Sequence, residues 1–487
     1  MTSNYLKNLS DQMGQYQAVL IYGAGGVAKN LLIFLEPYIH KDRAVVVVSQ
    51  KKENEDQMAG YPVRQIDQFV QVRDQALVIL ATMPRLALEM EAHARKLGFQ
   101  TFITAEEIAD QVYQEIWQDQ IHNNKIVFSS FAGGGFGGNG KYIALELLEC
   151  CRDLDLVWVV KDQGMEVPNT IRKVAYGTYD HYWEQGTARI WIDNQHKNYF
   201  TRKRQGQFYI QTWHGGGPLK KIEFDGENLS RSYLDLCEMN SRLEDLMISP
   251  TRFNSGLYRT AFHYDGEIME CGYPRNDIFW NDGGVKGRIE KLFGVNQGEM
   301  IALYAPTFRI FEKREEDILD LEKVREAMEG RFGKKCRIFV RLHPCAKEAA
   351  DSYPGIRECT DVTSYGDAQE LFAAADVLIT DYSSVMWDFS LTGKPVFLFH
   401  PDVDLYEKER GYYLPFKEMP YVESFGNEDL CEKIAAFHSE GYCQRTKAFV
   451  ETYGSFDRGT AAKAVGDRIL KILGREMCLK IQRNEGI

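Results

Sequence analysis

Asp376–Phe399, DVLITDYSSVMWDFSLTGKPVFLF, reads as strand, turn, helix, strand. Asp376 to Thr380 is the first strand and Val396 to Phe399 the second. Between them the Asp381-Tyr382-Ser383-Ser384 turn leads into a helix starting near Ser384, which Gly393-Lys394-Pro395 stops. Short apolar strands on either side of a helix argue for a parallel sheet flanked by helices. Ser383 and Ser384 then sit at a helix N-terminus, at a strand's carboxyl end. Free N–H groups and hydroxyls in that place suit an anion. Serines also cap helices, so two readings stand. Asp388, one turn further on, either reaches a ligand hydroxyl or faces solvent.

The same alternation continues outward. Met300 to Tyr304 and Arg337 to Val340 read as strands of the same half, with a helical stretch from Asp367 to Ala374. Upstream, strands are expected at Lys125 to Phe128, Leu156 to Val160 and Ala188 to Ile192. A glycine-rich loop, Ala132 to Gly140, precedes a helix from Lys141 to Cys150. It lacks the G-K-[ST] ending of a phosphate-binding P-loop. A flexible loop near an acceptor and a disordered connector are its two readings. At the start of the chain, Ala18 to Tyr22, Ala44 to Val48 and Leu77 to Leu80 are strands, with a helix over Lys29 to Leu35. The expected organisation is a small Rossmann-like domain over 1–120, then two α/β halves over 121–283 and 284–487, joined near Asn281-Asp282-Gly283-Gly284. Two such halves imply a cleft, and ligands bind parallel sheets at the carboxyl ends of their strands.

A chain of 487 residues exceeds one compact core. Its 44% hydrophobic and 26% charged residues are those of a globular protein. The net charge, 58 − 70 = −12, argues against a general nucleic-acid binder. Local basic runs remain, such as Arg202-Lys203-Arg204 and Lys220-Lys221. The 10 cysteines include no C-x-x-C pair, which fits a reduced, intracellular protein without a zinc module. The polar N-terminus has no signal-peptide core and no apolar run approaches the ~20 residues of a spanning helix. A soluble or peripheral protein is therefore expected. No cluster with metal-ligand spacing stands out, so no metal is expected.

Gln211–Lys221, QTWHGGGPLKK, holds the clearest chemistry. It places His214 between the β-rich Gln207 to Ile210 and a run of three glycines, with Lys220 and Lys221 behind. An imidazole ordinarily titrates near neutral pH and can take and give a proton. Glycines allow close backbone approach, and lysines supply charge for phosphate. Proton transfer beside a phosphorylated substrate is the implied chemistry. Three further turns follow strands: Tyr304-Ala305-Pro306-Thr307-Phe308-Arg309, Arg341-Leu342-His343-Pro344, and Gly272-Tyr273-Pro274-Arg275-Asn276-Asp277. Arg275 either grips phosphate or pairs with Asp277. Gly23-x-Gly25-x-x-Ala28 matches the first turn of a dinucleotide fingerprint, but the second strand ends Val48-Ser49-Gln50-Lys51, without the acidic residue that fingerprint needs. A structural or regulatory role for the N-terminal domain is the reading, with a nucleotide or nucleotide-sugar ligand left open.

Taken together these runs resemble the CDP-glycerol glycerophosphotransferase family, the primases and polymerases of teichoic acid. The matching pieces are NGKYIALEL, GQFYIQTWHGGGPLKK, ISPTRFNSGLYRTAFHYDGEIMECGYPRND, YAPTFR, RLHP and ELFAAADVLITDYSSVMWDFSLTGKPVFLF, in that order over about 124–465. The resemblance implies a GT-B-like α/β architecture and transfer of a polyol phosphate from a CDP-polyol donor to a hydroxyl, releasing CMP. It implies His214 as general base, with His343, Arg341 and Arg275 neutralising the pyrophosphate. Pro306 and Thr307 would line the cytidine or phosphate pocket, Ser383 and Ser384 would hold phosphate, and Asp388 would contact a glycerol hydroxyl. Trp213, Gly215, Gly216, Gly217, Pro218 and Leu342 complete the substrate-binding set. CDP-glycerol as donor, a polymer or lipid-linked saccharide acceptor, and a cytoplasmic protein peripheral on the inner membrane face follow as expectations, as does the absence of a cofactor. One departure bears on the polyol, glycerol or ribitol. The usual H-G-T-P of this family is His214-Gly215-Gly216-Gly217-Pro218 here, one residue longer and without the threonine hydroxyl.

Overall fold

The computed structural model describes residues 3–51, 56–217, 219–227, 229–281, 283–307, 318–342, 355–403 and 411–475. The chain groups into two compact units. The first comprises Met1–Gly134, Asp153–Tyr209 and Ser230–Glu244; the second comprises Gly135–Arg152, Ile210–Leu229 and Asp245–Ile487.

In the first unit, strands β1 (Ala18–Tyr22), β2 (Ala44–Val48), β3 (Gln57–Met58), β4 (Tyr61–Gln65), β5 (Ala76–Leu80) and β6 (Thr101–Thr104) form a sheet ordered β3-β4-β2-β1-β5-β6. All its pairings are parallel except β3 with β4. β1 and β5 are buried at every position, because helices cover both faces of such a sheet. Alternate side chains feed separate cores: Val19, Ile21, Leu77 and Ile79 on one face, Leu20, Tyr22, Val78 and Leu80 on the other. The polar N-terminal stretch forms the helix Asn4–Met13. Leu6, Leu9 and Met13 form its buried stripe, and Ser3 caps it by accepting from the Leu6 N–H. Strands β7 (His122–Phe128), β8 (Asp155–Val160), β9 (Arg172–Ala175) and β10 (Ala188–Asp193) pair in parallel as β10-β7-β8-β9.

The glycine-rich loop begins as a hydrogen-bonded turn. Phe131–Gly133 makes a tight turn in which the Lys161 N–H donates to the Gly133 carbonyl at 2.8 Å. A β-carbon on Gly133 would lie 3.1 Å from that nitrogen. The basic run is also spoken for within this unit. Arg202 bonds Asp110 at 2.7 Å, Lys203 bonds the Leu243 carbonyl, and Arg204 bonds the Trp117 and Asp119 carbonyls.

In the second unit the end of β11 (Phe208–Gln211), from Ile210 on, pairs in parallel with β12 (Leu246–Ser249), and β12 with β13 (Glu267–Glu270). The unit also holds a six-stranded parallel sheet built from β14 (Met300–Tyr304), β15 (Cys336–Val340), β16 (Thr360–Asp361), β17 (Val377–Thr380), β18 (Val396–Phe399) and β19 (Val422–Ser424). Its order is β16-β15-β14-β17-β18-β19. Ile301, Leu303, Leu378 and Leu398 pack on one face, while Ala302, Tyr304, Ile379 and Phe397 pack on the other. The order reverses between β14 and β17, so the topological switch point, where open parallel sheets bind ligands, lies at the carboxyl ends of these two strands. Among the described residues no helix is long and apolar enough to cross a membrane.

Candidate active site

His214 is where a buried strand surfaces. Gln211 and Thr212 are fully buried, whereas His214 is half-buried. Between them Trp213 adopts φ 52°, a left-handed conformation that costs a bulky residue roughly 1–3 kcal/mol and persists only where its surroundings impose it. They do. Its N–H donates to Gln211 Oε1 at 2.9 Å, and its carbonyl accepts from Asn139 Nδ2 at 3.2 Å. The indole is buried among Met247, Leu257, Tyr258 and Phe262, edge-on to Phe262 at 4.8 Å. The His214 ring lies against it, centroids 4.4 Å apart.

The next main-chain groups are held as well. Arg275 Nη2 donates to the His214 carbonyl at 2.8 Å, and the Tyr273 hydroxyl to the Gly215 carbonyl at 3.0 Å. Arg275 itself is buried, with its guanidinium on Asp388 Oδ2 at 2.8 Å from Nη2 and 3.0 Å from Nε. Gln369 Nε2 donates to the same oxygen at 3.1 Å. Asp388 Oδ1 is buried and takes no hydrogen bond among the described residues. Two local readings are thereby corrected. Arg275 does not pair with Asp277, whose carboxylate instead accepts the Ala461 and Ala462 N–H groups at the start of the helix Ala461–Ile472. Asp388 does not face solvent; it is 3% exposed. Behind the loop, Lys221 turns to Glu227 at 3.2 Å.

The remaining residues gather at the carboxyl edge of the six-stranded sheet. Pro306 and Thr307 follow β14, Arg341 and Leu342 follow β15, and Ser383 and Ser384 follow β17. Asp381 accepts from both the Thr307 N–H at 2.8 Å and its hydroxyl at 2.9 Å. Arg341 Nη1 donates to the Val362 and Tyr365 carbonyls at 3.2 and 2.7 Å, and the Leu342 N–H to Thr363 Oγ1 at 3.0 Å. The helix Val385–Ser390 follows the serines, but Ser384 makes no side-chain capping bond. The capping reading fails for Ser384, and Ser383 only accepts a 3.5 Å contact from the Val385 N–H. His343 and Pro218 lie outside the described residues.

The family model for CDP-Glycerol:Poly(glycerophosphate) glycerophosphotransferase matches residues 111–471. The chain belongs to this family. The teichoic acid poly(glycerol phosphate) polymerase of Staphylococcus epidermidis is 30% identical over 373 residues, 73% of this chain and 51% of that protein. This chain therefore spans about half the length of that relative. The teichoic acid glycerol-phosphate transferase of Staphylococcus aureus is 30% identical over 374 residues, 72% of this chain and 94% of that one. Among solved structures, the wall teichoic acid polymerase TagF superposes with a TM-score of 0.68 at 28% identity, covering 76% of this chain and 93% of that chain. The fold class is the GT-B-like α/β class expected from the sequence.

Within the family's span, the structure adds residues that no motif had singled out. Asn139, Gln369 and Trp387 touch the His214 loop or its supports. Asp457 is another, accepting the Tyr273 N–H at 2.9 Å and Asn276 Nδ2 at 3.2 Å. It is 1% exposed. Burial, reinforced by the Asp388 charge, pushes its carboxyl up to about 7 against the hydrogen bonds that favour ionisation. The folded protein therefore keeps this proton to higher pH than the unfolded chain does. The stability it contributes is complete below about pH 4 and is lost as pH rises through about 7. Asp457→Asn is expected to gain on the wild type by ~1–4 kcal/mol between pH 5 and 8, read from urea unfolding at each pH. A difference between the two proteins that does not change with pH would contradict this.

Proposed function

We propose that this protein moves glycerol phosphate from CDP-glycerol to a hydroxyl of a teichoic-acid-like or capsular polymer acceptor, releasing CMP. The family match over residues 111–471 carries this reading. His214 takes the acceptor proton as general base. The acceptor oxygen then bonds to the β-phosphorus, the bond from that phosphorus to the bridging oxygen breaks, and CMP leaves with the electron pair. The support for His214 is its position: a partly exposed imidazole at a strand's carboxyl end, on a main chain held by Asn139, Tyr273 and Arg275. Positioning of this kind is a large part of phosphoryl-transfer catalysis.

In the same proposal His343 and Arg341 neutralise the pyrophosphate, with Arg275 closing the set. Pro306 and Thr307 line the nucleotide pocket, and Ser383 and Ser384 hold phosphate. Asp388 contacts the polyol, a reading supported by its buried Oδ1, which takes no hydrogen bond among the described residues. Trp213, Gly215, Gly216, Gly217, Pro218 and Leu342 shape the substrate site. The domains are proposed as 1–120, 121–283 and 284–487; the separate sheets over Ala18–Thr104 and Met300–Ser424 support the outer two. We place the protein in the cytoplasm, peripheral on the membrane's inner face, where a lipid-linked acceptor would meet it.

The H-G-G-G-P form of the central motif leaves the polyol open, and ribitol phosphate as the transferred group is the second reading. Product mass decides between the two. CDP-glycerol and CDP-ribitol supplied separately to the purified protein with acceptor should give added glycerol phosphate from the first and little product from the second. Faster transfer from CDP-ribitol would reverse the assignment.

A further inference from the structure

We propose that Trp387 is a positioning residue for His214, and that Gly216 and Gly217 are glycines because its indole occupies their side-chain space. This rests on the reading of His214 as general base. A β-carbon built on Gly217 would lie 2.2 Å from both Cδ2 and Cε3 of Trp387, and Gly217 has φ +67°. A β-carbon on Gly216 would lie 2.9 Å from Trp387 Cδ1 and 2.9 Å from Asp388 Oδ1. Gly215 is different: its nearest atom, Trp213 Nε1, would be in ordinary contact at 3.4 Å. The constraint therefore sits on the second and third glycines, the place where the usual H-G-T-P pattern is left. A threonine at either would meet the indole.

The indole cannot easily withdraw. It is 3% exposed and packs against Phe449, with centroids 5.5 Å apart, and edge-on to Tyr453 at 5.8 Å. Its Nε1–H is buried and donates no hydrogen bond among the described residues. An unmet buried donor contributes no stabilising bond, so shape is what this side chain supplies. Asp388, its neighbour on the helix Val385–Ser390, holds Arg275, which holds the His214 carbonyl. One helical turn thus grips the loop twice: Trp387 by packing at 216–217, and Asp388 through Arg275 at 214. A loop fixed at both ends presents its imidazole in one place, and a misplacement of ~1 Å can cost on the order of 100-fold in rate.

CMP release with CDP-glycerol and acceptor tests this in wild type, Trp387→Phe, Trp387→Ala, Gly217→Ala and the Gly217→Ala/Trp387→Ala double variant, with His214→Ala alongside. Trp387→Ala should lower kcat by at least about tenfold while KM for CDP-glycerol stays within about threefold, the split expected of a residue that acts on the transition state alone. Trp387→Phe, which keeps a ring and removes the unmet N–H, should recover kcat to within about threefold of wild type. The kcat loss from Gly217→Ala should shrink by at least about fivefold in the Trp387→Ala background, because the clash has gone. Should Trp387→Ala fail to fold, Trp387→Leu takes its place in the same cycle. Unchanged kcat in Trp387→Ala, or independent losses in the double variant, overturns the proposal while a dead His214→Ala leaves the base assignment standing. Turnover in His214→Ala overturns the base assignment and the positioning role with it.

Discussion

His214→Ala is expected to reduce CMP release by at least ~100-fold with the fold intact, the scale on which a positioned general base contributes. The imidazole is half-buried, and the supports of its loop are made by other groups. The Trp213 carbonyl is held by Asn139, the His214 carbonyl by Arg275 and the Gly215 carbonyl by Tyr273. A methyl at 214 leaves each of these hydrogen bonds in place, since they end on main-chain oxygens. Thermal unfolding should therefore move by no more than the few degrees typical of a partly exposed substitution. Donor binding, measured by calorimetry with CDP-glycerol, should persist. A variant that binds the donor and still turns it over at the wild-type rate would remove His214 from the chemistry.

Asp388→Ala is expected to cost ~3–5 kcal/mol of folding stability, because it leaves a buried guanidinium without its anion. Arg275 and Asp388 are 6% and 3% exposed, and both Arg275 Nε and Nη2 sit on one carboxylate oxygen. Gln369 Nε2 loses an acceptor in the same step and keeps Asn276 Oδ1 at 2.8 Å. Denaturant unfolding of wild type and variant gives the difference directly. Removing both charges separates stability from function. Arg275→Met/Asp388→Leu should recover most of the lost stability, as apolar replacements of buried ion pairs do. It should stay slow in turnover, because nothing then holds the His214 carbonyl. A cost below about 1 kcal/mol for Asp388→Ala would show that water reaches the pair, as it does for exposed ion pairs.

The parallel strands were legible because burial on both faces writes itself as continuous apolar runs. Ala18–Tyr22 and Met300–Tyr304 could be bounded to the residue, and they are buried at every position. Gln57–Met58, Thr101–Thr104 and Thr360–Asp361 could not, because their strand character comes from the neighbour each pairs with. The helix Asn4–Met13 had only Leu6, Leu9 and Met13, with Tyr5 beside them, to announce it. For the candidate site, the sequence names His214, Arg275 and Asp388 but not their connection. Asp277 is two residues from Arg275 and was the obvious partner, whereas the actual carboxylate lies 113 residues away. No short-range pattern encodes such a pair. Trp387 was hidden for a related reason. Inside DVLITDYSSVMWDFS it reads as one more apolar helix residue, and only the glycines against it show what its ring does.

The central claim, glycerol phosphate transfer from CDP-glycerol, is tested most directly by CMP release from the purified wild-type protein. CDP-glycerol, CDP-ribitol and a panel of UDP- and GDP-sugars would each be supplied with a lipid-linked or soluble polyol-phosphate acceptor. The account predicts acceptor-dependent CMP release with CDP-glycerol and no nucleotide release from the UDP- or GDP-sugars. CDP-glycerol bound without CMP release for every acceptor, or UDP or GDP release from a nucleotide sugar, would contradict it.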